Sequence, residues 1–252
     1  MARRKRSRVP VPPSVERALD AALDKALSIQ RPVVLAYLDR VRAKHPTASP
    51  ADVIDQLERR YLAAAIGTGA ASGGAAALPG VGTGASIVTG AAEIAAFVSA
   101  TAMFVLAVAE VHGVPVNDPQ VRRALVLTVL LGDVAETAVE AAAGAPHWAH
   151  VLGRTNREAI GGINSKLARL MVGRFGARQS ALLLGRAIPF GIGAGIGAAG
   201  NAALARAAIR TARRAFGPAP RRFSSRVIDS SDETSRLRRI YRSTRGPQRG
   251  RK

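Results

Sequence analysis

Acid–base or metal chemistry in the middle of this chain would have to draw on Glu93, Glu110, His112, Asp133, Glu136 and the two histidines of HWAH, His147 and His150. Asp133 and Glu136 are three residues apart and share a face in a helix. The two histidines would do the same, although Pro146 and the glycines around it favour a loop. Glu110 and His112 project to different sides of a helix. No Glu-x-x-His motif accompanies these residues, as a metal site in a helical bundle would want. No metal, cofactor or catalytic residue is therefore assigned. The polar residues with a case for function are Glu93, His112 and Asp133. Glu93 stands out, because a carboxylate among apolar helices needs a partner or a raised pKa. Ser72, Ser86 and Ser99 sit among small residues with no nearby His or Lys, and read as packing residues.

Phosphate chemistry is the next candidate. Gly80, Gly82 and Ala85 in LPGVGTGA match the G-x-G-x-x-A form of the dinucleotide fingerprint. That motif needs a strand before it and a helix after it, so that phosphate sits on the helix N-terminus. AAAIGTGAASGGAAAL precedes it, which is no strand, and no Lys-Ser/Thr pair follows. Nucleotide binding is excluded on these grounds.

The charge is placed at the ends. Of 37 basic residues all but five are arginine, and the formal net charge is +20. MARRKRSR includes Arg3, Arg4, Lys5 and Arg6, and the chain from Arg210 onward holds Arg221, Arg222, Arg238 and Arg239 among many others. Between the two lies a nearly neutral body. The basic ends suit an anionic partner. Few aromatics interleave them, so single-strand stacking is unsupported, and phosphate attraction alone would be unspecific. Anionic lipid explains the ends equally well and also accounts for the apolar centre beside them. RVPVPPSVERALD has charges and prolines where a secretory apolar segment would be, so both ends are expected on the cytoplasmic side. The absence of cysteine excludes disulfides.

The apolar spacing is helical throughout and predicts an all-α bundle. Residues 1–13 read as a disordered basic arm, 14–216 as a helical domain, and 217–252 as a basic, mostly disordered tail. Ser14 caps a helix carrying Val15, Leu19, Leu23 and Leu27; Val33, Val34, Tyr37, Leu38 and Val41 continue beyond Pro32. Ser49, Pro50 and Asp52 mark the start of another helix with Val53, Ile54, Leu57 and Tyr61 inside. From Leu62 to Val111 the only charges are Glu93 and Glu110, with Pro79 dividing the stretch into a hairpin. HGVPVNDP is a loop, Val121–Ala143 one further helix, and GAPHW its end. Residues 154–186 and the segment after Pro189 complete the set.

Leu78-Pro79-Gly80-Val81-Gly82-Thr83-Gly84 is echoed by Ile188-Pro189-Phe190-Gly191-Ile192-Gly193-Ala194-Gly195. Past the second proline, Gly191, Gly195, Ala199, Ala203 and Ala207 recur every four residues, which predicts a smooth seam for a closely packed helix. Gly82, Ser86 and Gly90 form a shorter one. Ala85–Ala109 is long enough to cross a bilayer of ~30 Å hydrocarbon thickness. Ala187–Ala205 is free of charge, but its glycines and Asn201 weaken insertion. The mean hydropathy of +0.09 is low for a chain that crosses repeatedly.

ASPADVIDQLERRY, ALPGVGTGASIVTGAAEIAAF, the helix to AEVHG, RRALVLTVLLG and RAIPFGIGAGIGAAGNAALARAAIRTARRAF together resemble the EcsC family over roughly residues 45–216. The resemblance implies a bacterial, membrane-associated helical protein without an assigned activity, linked to an ABC transporter or secretion, with a membrane-protein partner. It carries no catalytic residues onto this chain. Two rival readings follow from the residues themselves: a soluble hydrolase that gathers Glu93 and Asp133 round one histidine, and a nucleic-acid-associated protein acting through its tails, located in the cytoplasm. Oligomeric state is left open.

Overall fold

The computed structural model describes residues 21, 23–29, 31–75, 83–144, 147–185 and 192–224. Among them the regular elements are all α-helices and there is no strand. The helices are α1 (Arg31–Ala43), α2 (Pro50–Ala75), α3 (Thr83–Val111), α4 (Pro119–Leu131), α5 (Asp133–Ala143), α6 (Trp148–Leu152), α7 (Arg157–Gly185) and α8 (Ile192–Phe216). Residues 23–27 are helical as well and place Leu23 and Ala26 in the core.

Helix starts follow local chemistry. The Asp52 carboxylate accepts from both the backbone N–H and the hydroxyl of Ser49, and Asp52 N–H returns a bond to the Ser49 oxygen. This reciprocal cap satisfies donors that the first turn of α2 leaves free, with Pro50 at a position that has no N–H to lose. The same bonds from Ser49 hold the Asp52 carboxyl below its usual pKa. Asp118 caps α4 by accepting from Gln120 N–H at 2.7 Å, ahead of Pro119.

The centre of the bundle is α4. Ala124 through Leu131 are all buried, so this helix is apolar on every side and is enclosed by α3, α5, α7 and α8. Thr128 fits there because its hydroxyl donates back to Ala124 C=O at 2.7 Å. Helix α3 is the other interior element. Within it Ala92–Val111 has a mean hydropathy of 2.1 and is the one described helix long and apolar enough to cross a membrane, yet two-thirds of it is buried inside the bundle. Tyr61 of α2 stacks on Phe104 of α3 at 4.7 Å between ring centres, and its hydroxyl meets Thr101 Oγ1 at 2.9 Å. Burial of that phenol raises its pKa.

Helices α2 and α3 form the expected hairpin, and α8 lies antiparallel along α2. Pro79, Gly80, Gly82, Pro189 and Gly191 fall outside the described residues, as do Arg3, Arg4, Lys5, Arg6, Arg238 and Arg239. Gly84 and Gly90 lie within α3, and Gly195 within α8.

Three expectations need correction. Ala199 and Ala203, read as contact points of a seam, are exposed. The face of α8 that packs is Asn201, Ala202, Ala205, Ala208, Ala212 and Ala215 instead. The four-residue recurrence of small side chains is present on both sides of so alanine-rich a helix, and it could not say which side faces inward. The stretch 121–143 is two helices, broken at Gly132, whose φ of 62° ends α4 and lets α5 begin with Asp133 and Glu136 at its positive end. The tail begins later than residue 217. Phe223 packs on the core beneath the Arg42 guanidinium, 4.4 Å from its ring centre, and Ser224 Oγ donates to Glu110 C=O. Arg221 and Arg222 are exposed.

If α4 is the core and the outer seam of α8 is free, their substitutions separate. Leu125→Ala is expected to lower the unfolding free energy by about 3 kcal/mol, while Ala203→Ser changes it by less than about 0.5 kcal/mol, both read from urea unfolding.

Candidate functional site

The last turn of α8 carries two adjacent arginines whose side chains diverge. Arg213 Nε donates to Glu58 Oε1 of α2 at 2.7 Å and its Nη2 to Oε2, a two-point grip on a carboxylate that is only 10% exposed. Asp55, one turn earlier on α2, adds a looser contact to the same guanidinium at 3.8 Å. Arg214 turns the other way. Its Nε donates to the Glu136 carboxylate of α5 at 2.8 and 2.9 Å, and its Nη2 reaches Glu136 and Asp133 together. Glu136 is 6% exposed, whereas Asp133 stays in water. These bonds, led by the one to Glu136, raise the Arg214 pKa; Glu58 does the same for Arg213. A third interior carboxylate, Glu110 near the end of α3, is held by Arg31 Nε at 2.6 Å and Nη2 at 3.0 Å.

The histidines gather at the same end. The ring of His112 stacks on Phe216 at 5.3 Å and meets His150 edge-on at 6.1 Å. Burial, followed by repulsion from His150 and His147, lowers the His112 pKa to about 4. It is a neutral imidazole at pH 7, and its ring makes no hydrogen bond among the described residues. His147 adopts a left-handed backbone, φ 59°, and its Nδ1 lies 3.1 Å from Arg214 C=O. That nitrogen must carry the proton, so His147 caps the open C-terminal end of α8. Gly217 follows at φ 76° with the His147 ring where a side chain would be: an added Cβ would stand 2.7 Å from Nδ1. Only glycine lets the chain leave α8 beneath that ring.

Between α2, the end of α3 and the end of α8 is a cleft of about 550 Å³. Its apolar wall includes Ile54, Phe104, Val108 and Phe216, and its polar rim is Asp55, Glu58, His112, His147, Arg213 and Arg214. Both arginines are already neutralised by carboxylates, so the cleft has little net charge. No hydroxyl or thiol lines it among the described residues, so His112 has no nucleophile to activate there. No group of three or more His, Asp or Glu able to hold a metal occurs among the described residues. The arrangement suits holding helices in register and binding a mostly apolar group.

Of the residues singled out in the sequence, Asp133 and Glu136 meet on Arg214 and the histidines lie near one another, but Glu93 is apart from both groups. Glu93 accepts from Asn201 Nδ2 at 3.0 Å in a small polar layer that also touches Thr68, far along the bundle from the cleft. Its partner is thus an amide on α8. Asp133 is the solvent-side member of the Arg214 cluster, and only His112 lines the cleft. The convergence of Glu93 and Asp133 on one histidine, which the hydrolase reading required, does not occur. Arg31, Glu58, Arg213 and Arg214 were not singled out. The available signal was an acidic residue set into an apolar helix face at 58, 110 and 136, each requiring a cation from elsewhere.

The fold and this site define an all-α bundle keyed by arginines that grip buried carboxylates. No protein-family model matches the chain, and neither a curated protein nor a solved structure matches it.

Two outcomes test the site. Arg214→Met leaves the buried Glu136 carboxylate without its cation and is expected to cost about 1–2 kcal/mol, moderated because the Arg214 side is 45% exposed and water can reach the gap, against under about 0.5 kcal/mol for Arg210→Met on the exposed face. For His112 the folded pKa is below the unfolded one, so its stabilisation is complete above pH 6.5 and is lost as the pH falls toward 4. The loss cannot exceed ~1.4 kcal/mol per pH unit, because a single ring takes up one proton. Melting temperature should therefore fall between pH 6.5 and 4, and fall less in His112→Phe, which keeps the stack on Phe216 and cannot titrate.

Proposed function

We propose that the chain is a membrane-associated helical accessory protein of the EcsC type, attached at the cytoplasmic face of a bacterial membrane and serving a membrane-protein partner such as a transporter or secretion complex. The observation that carries the reading is the segregation of charge around a closed interior. Ala92–Val111 has the length and hydropathy of a span but already spends two-thirds of its surface inside the bundle. Near its two ends Glu93 and Glu110 are tied to Asn201 and Arg31, side chains of other helices. A helix held this way favours attachment over crossing, because releasing it into lipid would expose two carboxylates. The charge needed for attachment is concentrated toward the two ends of the sequence, in MARRKRSR and in the arginines from Arg221 onward. Each such residue near an anionic leaflet contributes ~1 kcal/mol.

The partner is a lipid surface in this reading, not nucleic acid. Both would be attracted by the basic ends, so they are to be competed directly. In flotation with phosphatidylglycerol vesicles the full chain is expected to rise with lipid at low salt, to remain behind with phosphatidylcholine alone, and to be released near 1 M salt, where the screening length is ~3 Å. A need for detergent would replace attachment with insertion through the bundle. No affinity for either vesicle would overturn the reading, and displacement by duplex DNA at equal phosphate would transfer it to nucleic acid.

A further inference from the structure

Three helix faces and one turn of chain enclose the space beside the end of α8. Ala51, Ile54, Asp55 and Glu58 share a face of the first turns of α2, and that face lines the cleft. Phe104, Val108 and His112 recur every four residues at the end of α3 and form the facing wall. Ala212 and Phe216, again four apart, close it from α8, and Pro218 and Ala219 border it after the turn at Gly217. With alanine at 51, 212 and 219 no long side chain reaches across from those positions, and about 550 Å³ is left between the walls. Protein interiors ordinarily leave few gaps larger than a water molecule, whereas small-molecule sites run from ~300 to ~1,000 Å³. The walls are also held in place, because Arg213 ties α8 to Glu58 of α2 at the rim.

The lining selects the chemistry of its occupant. Phe104 is stacked on Tyr61 and Phe216 on His112, so both rings are fixed, and Ile54 is half-buried beside them. Fixed aromatic faces and edges favour another ring over a flexible chain. The charged residues of the lining are Asp55, Glu58, Arg213 and Arg214, two of each sign. Both guanidinium groups are committed to carboxylates, and Asp55, 57% exposed, approaches Arg213 only to 3.8 Å. An anionic occupant would meet Asp55 without gaining an uncommitted cation, and a cationic one would meet two guanidinium groups. An uncharged occupant incurs neither cost. One polar group remains to address it. The His112 ring makes no hydrogen bond among the described residues and is neutral at pH 7, so it offers one donor and one acceptor. A hydroxyl answers either nitrogen, by accepting from one or donating to the other; a ketone or an ether answers only the donor.

We infer that this cleft binds a small uncharged aromatic alcohol, with its ring against Phe104 and Phe216 and its hydroxyl on His112. The site does not depend on membrane attachment, so its test uses the full chain in solution without vesicles. The probes are β-naphthol, β-methylnaphthalene, in which a methyl group replaces the hydroxyl, and β-naphthoate, each titrated at pH 7 by calorimetry. β-Naphthol is expected to bind saturably at a single site per chain, and β-naphthoate more weakly. His112→Phe keeps the stack on Phe216 and removes both nitrogens; it should weaken β-naphthol about fivefold and leave β-methylnaphthalene unchanged. Ala51→Trp sets a large side chain at the exposed mouth and should abolish binding of both. Val134→Trp on α5, 59% exposed and outside the lining, should leave binding as it is. Melting curves establish that each variant is folded. Absence of saturable β-naphthol binding would overturn the inference, as would binding that survives Ala51→Trp. Equal weakening of β-naphthol and β-methylnaphthalene by His112→Phe would remove the hydroxyl contact and overturn it. Tighter binding of β-naphthoate would do the same in favour of an anion.

Discussion

The structure depends on two neighbouring side chains at the end of α8. Consecutive residues on a helix point ~100° apart, so Arg213 and Arg214 grip different partners: Glu58 on α2 and Glu136 on α5. The flanking packed residues of α8 are Ala205, Ala208, Ala212 and Ala215, which give a close but featureless contact. Alanine faces slide past one another at little cost, because no large side chain interlocks. A pair whose carboxylate is buried does not, since a one-turn slip would leave that carboxylate inside the protein without its cation. The ion pairs therefore set the register that the alanines allow.

That register propagates in both directions. At the arginine end the chain must leave α8 at once, and Gly217 does so beneath His147, which closes the carbonyl end of the helix. The exit carries Phe223 back to Arg42 and Ser224 to Glu110 C=O, the residue whose side chain holds Arg31. Four distant parts of the chain meet around one helix terminus. In the other direction the same alignment brings Asn201 to Glu93 and Thr68. The polar layer is a second check on register, placed where the helices are otherwise apolar.

Much of this was legible in the residues alone. Periodicity marked the helices, Ser49-Pro50 marked a start, and Ala124–Leu131 was apolar on all sides before any neighbour was known. Local rules suffice for these because the signals lie within one or two turns. The break at Gly132 was less visible, since the apolar pattern runs through it and only the backbone angle reveals the turn. The inward face of α8 was misread for a related reason: alanine recurs on every side, so hydrophobic spacing has no preferred direction. Glu93 was correctly seen to need a partner, but the partner, Asn201, lies on another helix 108 residues away.

The sequence by itself determined that this protein is a set of helices, with an apolar centre and arginine-rich ends. These follow from residue type and short-range spacing, which act through backbone geometry and solvation. Only the tertiary structure decided which carboxylates are buried, which arginines answer them, and that three histidines gather near the end of α8. Such pairings join residues 67 to 155 positions apart. Their energy depends on packing that buries the carboxylate while holding its arginine within reach, and no local pattern records that.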